Sequence, residues 1–166
     1  MTDVVFLIGQ SGAGKSTLAA RIACDARIRV INVGDVIVDL LKDNDCALQS
    51  RRDAGAFFVE NFRVTTLTKR IVAMSTGYER VVIDGVRLPS LWNSLSRISS
   101  QSISIGITCS PEIRLKRLMQ RDRIIVLSEE DYGSEISYLM RRVDVSCESE
   151  FGKQSIADFR TRCEAH

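Results

Sequence analysis

The chain has 166 residues, 45% hydrophobic and 27% charged, with a formal net charge of +2, which predicts one soluble globular domain and gives no global electrostatic argument for nucleic acid or anionic membranes. Five scattered cysteines without a CxxC pair, and a lone histidine at the C-terminus, argue against a zinc site or disulfide framework and indicate a reducing cytoplasm. The chain opens without a basic and apolar leader, and no apolar run approaches the roughly 20 residues of a membrane span, so we expect a cytoplasmic protein with no membrane partner.

Apolar runs alternate with longer segments of helical period, which predicts an α/β domain with a mostly parallel sheet. Strands are predicted at residues 4–9, 29–34, 80–85, 103–109 and 143–147. Helices are predicted over residues 17–24, 35–42, 52–75 (whole or broken), 89–98, 111–121, 128–142 and 153–163. The clearest helix start is Ser110-Pro111-Glu112, because an N-cap, a first-turn proline and an early acid occur together.

The stretch GQSGAGKST, residues 9–17, directly follows the apolar run VVFLI of the first predicted strand. Gly9, Gly14, Lys15 and Ser16 meet the pattern G-x-x-x-x-G-K-[ST] between a strand and a helix, which is the context that a P-loop requires. Backbone N–H groups in such a loop point inward and hold phosphate oxygens, and the helix N-terminus adds a positive dipole end. The alternative is a glycine-rich turn with an incidental lysine.

The P-loop interpretation predicts a role for the polar side chains of this stretch. Lys15 would reach the β- and γ-phosphates of ATP, Ser16 would ligate Mg²⁺, and Thr17 would hydrogen-bond an α-phosphate oxygen. The predicted ATP-binding residues of the loop are Gly9, Gly12, Ala13, Gly14, Lys15, Ser16 and Thr17. ATP and Mg²⁺ are therefore the expected cofactors.

The third predicted strand, VVID, ends in the acidic residue Asp84. An apolar strand ending in aspartate has the form of a Walker B element, and Asp84 would lie beside the P-loop and orient Mg²⁺ or its water shell. The alternative is a cap at a strand end. A regulatory GTPase is disfavoured, because the guanine-reading N-K-x-D is absent and the residues from Asp84 onward do not fit D-x-x-G.

Two more side chains are predicted at the carboxyl edge of the sheet, where open α/β proteins bind their ligands. Asp35 follows the second strand and either holds an acceptor hydroxyl or caps the next helix. Arg87, three residues after the Walker B acid, either meets a phosphate or is solvated. Arg51, Arg52 and Arg63 belong to the long helical segment, where a solvated surface position is the simpler interpretation.

The stretch RLKRLMQRDR, residues 114–123, is rich in cations. On a helix, Arg114, Arg117 and Arg121 lie on one face at spacings i, i+3 and i+7. The functional interpretation is a mobile lid whose guanidinium groups neutralise charge on a transferred phosphoryl group, with Arg117 and Arg121 contacting ATP. The alternative is a solvated helix face.

Several segments in order carry a family resemblance: GQSGAGKST, VGD, VVIDGVR, and RLKRLMQRDR followed by an acidic helix and VDVSCESEFG. Together they resemble the adenylate-kinase-like nucleoside monophosphate kinase superfamily, and most of all dephospho-CoA kinases, their short archaeal relatives and phage deoxynucleoside monophosphate kinases. The resemblance implies a P-loop NTPase three-layer sandwich with a five-stranded parallel sheet, an acceptor-binding helical region at about residues 36–76 and a lid at about residues 120–133. It also implies that Asp35 contacts the acceptor and that Arg117, Arg121 or Arg123 acts from the lid.

These patterns predict an ATP- and Mg²⁺-dependent phosphotransferase that moves the γ-phosphoryl group to a nucleotide or nucleotide-like small acceptor. The predicted catalytic residues are Lys15, Asp35, Asp84, Arg87, Arg117 and Arg121, and the predicted metal-binding residues are Ser16 and Asp84. One alternative is a kinase acting on an end hydroxyl or modified base of nucleic acid, with Phe57, Phe58 and Trp92 as stacking side chains. Another is a nucleotide-binding regulator without catalysis.

Overall fold

A parallel β-sheet forms the centre of the fold. The computed structural model describes residues 2–23, 26–46, 51–121 and 133–149, and within these ranges the sheet has five strands. They are β1 (Asp3–Ile8), β2 (Ile28–Asn32), β3 (Arg80–Asp84), β4 (Ser102–Thr108) and β5 (Val145–Glu148). Their spatial order is β2-β3-β1-β4-β5, and every neighbouring pair is parallel. The predicted α/β class and the parallel sheet are confirmed.

Helices connect the parallel strands, as such strands require. The described helices are α1 (Lys15–Ile22), α2 (Val33–Lys42), α3 (Arg51–Asn61), α4 (Val64–Ser75), α5 (Pro89–Ile98), α6 (Pro111–Arg121) and α7 (Gly133–Met140). Helices α2, α3 and α4 lie between β2 and β3 in the chain, within the segment 36–76 that was predicted to bind the acceptor. That role stays a prediction. Most of the predicted lid, and the helix predicted over residues 153–163, lie outside the described residues.

The long helical segment predicted over residues 52–75 is broken in the structure. Helix α3 ends at Asn61, and Arg63 has the extended backbone angles φ −84° and ψ 140° before α4 begins at Val64. Phe62 lies at the break and stacks on Phe58, with ring centroids 5.4 Å apart. The segment therefore forms two helices, a break that the helical period alone left open.

Helix α2 begins at Val33, two residues earlier than predicted. Asn32 is its N-cap, and the Asn32 Oδ1 accepts hydrogen bonds from the backbone N–H groups of Gly34 at 3.0 Å and Asp35 at 3.3 Å. Asparagine is among the best N-cap residues because its short side chain satisfies the first free amides of a helix. The interpretation of Asp35 as the cap is therefore wrong, and Asp35 lies instead in the first turn.

The core occupies both faces of the sheet. On β1, Phe6 and Ile8 point into one cluster, which the helices α2, α4, α5 and α7 cover, and Val5 and Leu7 point into the other, which α1 covers. Strands buried on both faces are near-continuous apolar runs rather than alternating ones. Each fully buried side chain of this kind contributes roughly 1.5–3 kcal/mol, so β1 anchors the P-loop that follows it.

Three of the cysteines lie in the described part of the chain and are free thiols: Cys46, Cys109 and Cys147. Burial raises the pKa of Cys147 to about 11, so this thiol stays protonated at neutral pH. Cys24 and Cys163 lie outside the described residues. Among the helices described, none is long and apolar enough to cross a bilayer.

Candidate functional site

The P-loop connects β1 to α1 and has the backbone geometry that its glycines allow. A Cβ atom on Gly9 would collide with the backbone carbonyl oxygen of Ile107 on the neighbouring strand. Gly14 has a φ of 100°, a left-handed backbone conformation that is unfavourable for residues other than glycine. A Cβ on Gly14 would also lie 3.1 Å from the Cβ of Ser149. The predicted loop is therefore present, and its shape depends on glycine at both ends.

Lys15 is the first residue of α1 and is only 9% exposed. Its Nζ donates a hydrogen bond to the backbone carbonyl of Gln10 at 2.8 Å, so the ammonium group lies against the backbone of the loop. The preceding Gly14 supplies no side-chain cap, which leaves the first amides of α1 to other acceptors. A buried cation and a helix N-terminus in one loop form a binding site for an anion such as phosphate.

A hydrogen-bonded group at the carboxyl edge of the sheet has Asp84 at its centre. The Asp84 Oδ2 accepts a 2.6 Å hydrogen bond from the Ser16 hydroxyl and a 3.0 Å hydrogen bond from the Asn32 Nδ2. The strand order explains this meeting, because β3 lies between β2, which ends in Asn32, and β1, which leads into the P-loop. The structure thus brings the two predicted metal-binding residues into direct contact.

The other carboxylate oxygen of Asp84 is the strongest sign of a ligand. Asp84 is 2% exposed, and its Oδ1 has no hydrogen-bond partner among the described residues. Buried carboxylate oxygens are rarely left unpaired, because an unmet acceptor costs free energy. Oxygen ligands from a carboxylate and a hydroxyl beside phosphates are those that Mg²⁺ takes in kinases. Ser16 and Asp84 therefore fit Mg²⁺ or a water molecule of its shell.

Two arginines of α6 face the P-loop. The Arg114 Nη1 donates to the Gln10 Oε1 at 2.6 Å, and the Arg117 Nη1 lies 3.4 Å from the Gly12 carbonyl oxygen. Arg117 also donates to the Ser149 hydroxyl at 2.7 Å. These two arginines share one helix face, as their i, i+3 spacing predicted, and that face is turned to the loop rather than to open solvent.

The remaining predicted residues differ in their exposure to solvent. Asp35 and Thr17 are exposed, Asp35 in the first turn of α2 and Thr17 in the first turn of α1. Arg87 is half-buried in the segment after β3. Arg121 ends α6, but its side chain is outside the described part, as is all of Arg123. Arg63 is exposed, as interpreted, and the side chains of Arg51 and Arg52 are not described.

Sequence reasoning missed Asn32, Gln10 and Ser149. Asn32 had a usable signal, because an asparagine between an apolar strand and a helical segment is a candidate N-cap at the binding edge. Gln10 and Ser149 had none, since their partners Arg114 and Arg117 are distant in sequence.

A cavity of about 260 Å³ lies beside the P-loop, between the end of β4 and helix α7. Its lining includes Gln10, Cys109, Arg114 and Met140. Sites for drug-sized ligands have volumes of roughly 300–1,000 Å³, so this cavity is large enough for a part of a nucleotide rather than the whole.

Comparison with known protein families agrees with the presence of a P-loop in this chain. The family described as AAA domain matches residues 8–132, and the chain belongs to it. No curated protein matches the sequence. A P-loop domain of this family implies nucleotide binding.

Solved structures of low sequence identity share the fold. TT1252 from Thermus thermophilus has 12% identity and a TM-score of 0.68, and the match covers 99% of this chain and 96% of that one. Shikimate kinase from Aquifex aeolicus has 16% identity and a TM-score of 0.59, with 98% and 96% covered. A chain of the Pnkp1/Rnl/Hen1 RNA repair complex has 18% identity and a TM-score of 0.58, with 86% and 46% covered. The chain therefore has the P-loop NTPase fold.

Replacing Asp84 with asparagine tests the metal assignment. Asp84→Asn removes a negative charge with almost no change in volume, so the Mg²⁺ concentration needed for half-maximal ATP binding should rise roughly 10–100-fold. Isothermal titration calorimetry at a series of Mg²⁺ concentrations measures this. Asp3→Asn, the same change at the opposite end of the sheet, is the control. An unchanged Mg²⁺ requirement in Asp84→Asn would reduce Asp84 to a structural residue.

Proposed function

We propose that this member of the AAA domain family is an ATP- and Mg²⁺-dependent phosphotransferase that moves the γ-phosphoryl group to a nucleotide or similar small acceptor. The observation that supports it most is the buried Asp84 carboxylate, which contacts Ser16 beside the buried Lys15 and has one oxygen without a partner among the described residues. A purely structural aspartate at a strand end would have no reason to keep an oxygen unpaired. The shikimate kinase of similar fold also acts on a small acceptor.

The P-loop would bind the triphosphate. Its inward amides and the N-terminus of α1 attract the phosphate oxygens, and Lys15 leaves the Gln10 carbonyl to neutralise the β- and γ-phosphates. Ser16 and Asp84 would hold Mg²⁺, which when bound neutralises charge on the same phosphates. Phosphoryl transfer depends mainly on positioning and charge neutralisation, and these residues supply both on the donor side.

The acceptor would bind over the end of β2 and the start of α2. Asn32 pairs with Asp84 in the sheet register, and Asp35 lies three residues further along the chain. An exposed carboxylate next to the phosphate site can accept a hydrogen bond from an acceptor hydroxyl and orient it for attack. Arg87, after β3, would neutralise charge on the acceptor or on the transferred group. Helices α2 to α4 would then form the acceptor-binding region of a single kinase domain.

The arginines of α6 would act on the transferred phosphoryl group. Arg117 lies within 3.4 Å of the Gly12 carbonyl oxygen, so a small change of rotamer brings its guanidinium over bound phosphates. Arg121 is one helical turn further along and belongs to the predicted lid at about residues 120–133. Guanidinium groups that meet charge in the transition state lower the barrier without tightening ground-state binding.

The nucleic-acid alternative has less support. The RNA repair complex contains a chain of similar fold, but this protein covers only 46% of it. Of the aromatic residues considered for base stacking, Phe58 is fully buried, and the Trp92 Nε1 donates a 2.9 Å hydrogen bond to Ser104 in the sheet. Phe57 is 36% exposed, and Trp92 is partly buried. Sequence-tolerant binding of single strands depends on such exposed rings.

The first test is phosphoryl transfer itself, with labelled ATP and a panel of nucleosides, nucleoside monophosphates, dephospho-CoA, small hydroxy acids and DNA ends. Lys15→Ala should reduce transfer to the active acceptor by roughly 100-fold or more, because the phosphates lose their buried cation. Lys69→Ala, which removes an exposed lysine from α4, should retain full activity. Circular dichroism shows whether both variants are folded. Near-normal transfer by Lys15→Ala would refute the kinase proposal, and ATP binding without any transfer would favour the regulator.

A second test concerns the acceptor side. Asp35→Asn should lower kcat or raise the acceptor KM by a combined factor of roughly 100, because the carboxylate no longer orients the attacking hydroxyl. The KM for ATP should change little. Asp3→Asn makes the same change at the opposite end of the sheet and should behave like the wild type. Steady-state kinetics with each substrate varied in turn measures kcat and the two KM values.

Arg117 distinguishes a small-molecule kinase from a nucleic-acid kinase. Arg117→Ala should lower kcat roughly 100-fold or more while the acceptor KM stays within a few-fold, because the guanidinium acts in the transition state. Arg97→Ala, at the exposed end of α5, is the matched control. A backbone-binding arginine would instead raise the KM for DNA and flatten the salt dependence of its affinity by about one unit of slope. That second pattern would contradict the small-acceptor proposal.

A further inference from the structure

Asn32 uses both ends of its side-chain amide, and each end serves a different part of the site. Its Oδ1 accepts hydrogen bonds from the first amides of α2, at Gly34 and Asp35. Its Nδ2 donates to the Asp84 Oδ2 at 3.0 Å. One side chain therefore connects the start of the helix that carries Asp35 with the carboxylate at the metal site.

Two separate sets of hydrogen bonds determine the orientation of the Asn32 amide. If the amide were turned over, its NH₂ group would face the N–H groups of α2, and its carbonyl oxygen would face the Asp84 carboxylate. Both contacts would then join like partners, two donors on one side and two acceptors on the other. The helix start and the carboxylate thus require the same orientation of Asn32, and the amide cannot satisfy one without the other.

The hydrogen bond between Asn32 and Asp84 also determines the orientation of the Asp84 carboxylate. Two donors, the Ser16 hydroxyl and the Asn32 amide, meet at Oδ2 and leave Oδ1 as the unpaired oxygen. If Ser16 moves its oxygen towards a metal ion, the Asn32 amide is the described contact that still holds Oδ2. The direction of Oδ1 then depends on Asn32.

We propose that Asn32 is a positioning residue. It orients the Asp84 carboxylate towards Mg²⁺ and makes that orientation depend on the start of α2. This rests on the proposed function, because it takes Asp84 as the metal-site acid. Asn32 acts through Asp84 and contacts neither metal nor phosphate itself. The chemistry explains the residue type: serine would cap α2 but would be too short to reach Asp84, and aspartate would cap α2 but place a second negative charge against the carboxylate.

The test uses Asn32→Ser, Asp84→Asn and the double variant. Serine is as good an N-cap as asparagine, so α2 should stay folded, and far-UV circular dichroism checks this. The measurement is the Mg²⁺ concentration for half-maximal ATP binding, determined by isothermal titration calorimetry without turnover. Asn32→Ser should raise it roughly 10–100-fold, as expected when a partner that orients a metal ligand is lost. In the Asp84→Asn background the same substitution should have no further effect, because residues that act as one unit are not additive.

Asn44→Ser is the matched control. Asn44 lies just beyond the C-terminal end of α2, where its Nδ2 donates to the Leu40 carbonyl at 2.7 Å and has no described contact with Asp84. This variant should leave the Mg²⁺ requirement unchanged. An unchanged requirement in Asn32→Ser, or an equal shift with and without Asp84→Asn, would overturn the proposal.

The failure of the proposed function is a separate result. If the wild type binds Mg²⁺ and ATP but transfers no phosphoryl group, the phosphotransferase is refuted and the binding experiment still decides the role of Asn32. If wild-type ATP binding does not depend on Mg²⁺, the metal role of Asp84 fails, and the positioning role of Asn32 fails with it.

Discussion

The site is organised around a carboxylate that is buried at the end of a central strand. Asp84 is 2% exposed, and a buried charge is costly unless donors or a cation compensate for it. The strand order supplies the donors, because β3 lies between β2 and β1 and so has Asn32 on one side and the P-loop Ser16 on the other. Each neighbouring strand leads to one of the two described donors to Asp84, so the chemistry of the site depends on the topology of the sheet.

Two kinds of contact hold the P-loop, one apolar and one polar. The apolar side chains of β1 and α1 pack the loop against the core, and the backbone of Ile107 leaves no room for a side chain at Gly9, the first residue of the loop. From the side, Arg114 and Arg117 bind its Gln10 and Gly12. The packed contacts are independent of ligand, whereas the arginine contacts are polar and partly exposed.

The two sides of the site are connected through single side chains rather than through packing. Asn32 connects Asp84 with the start of α2. Arg117 connects the loop with Ser149, which follows β5, and the Ser149 amide in turn donates to the Thr108 carbonyl at the end of β4. Strands β2 and β5 are the two edges of the described sheet, so Asn32 connects one edge with Asp84 and Arg117 connects the P-loop with the residue that follows the other edge.

The sequence alone was sufficient for several features that depend on neighbouring residues. The P-loop, the helix over residues 89–98, the parallel sheet and the residue types of a phosphate and metal site follow from local spacing and apolar period, which act over one turn or one strand. The tertiary structure decided which side chains meet: Asn32 and Asp84 are 52 residues apart, and Arg117 and Ser149 are 32 apart. It also decided that Asn32, not Asp35, caps α2 and that the long helix breaks before Val64. Local propensity allowed several helix starts and breaks, and only packing against the sheet, together with the strand order, selected one of them.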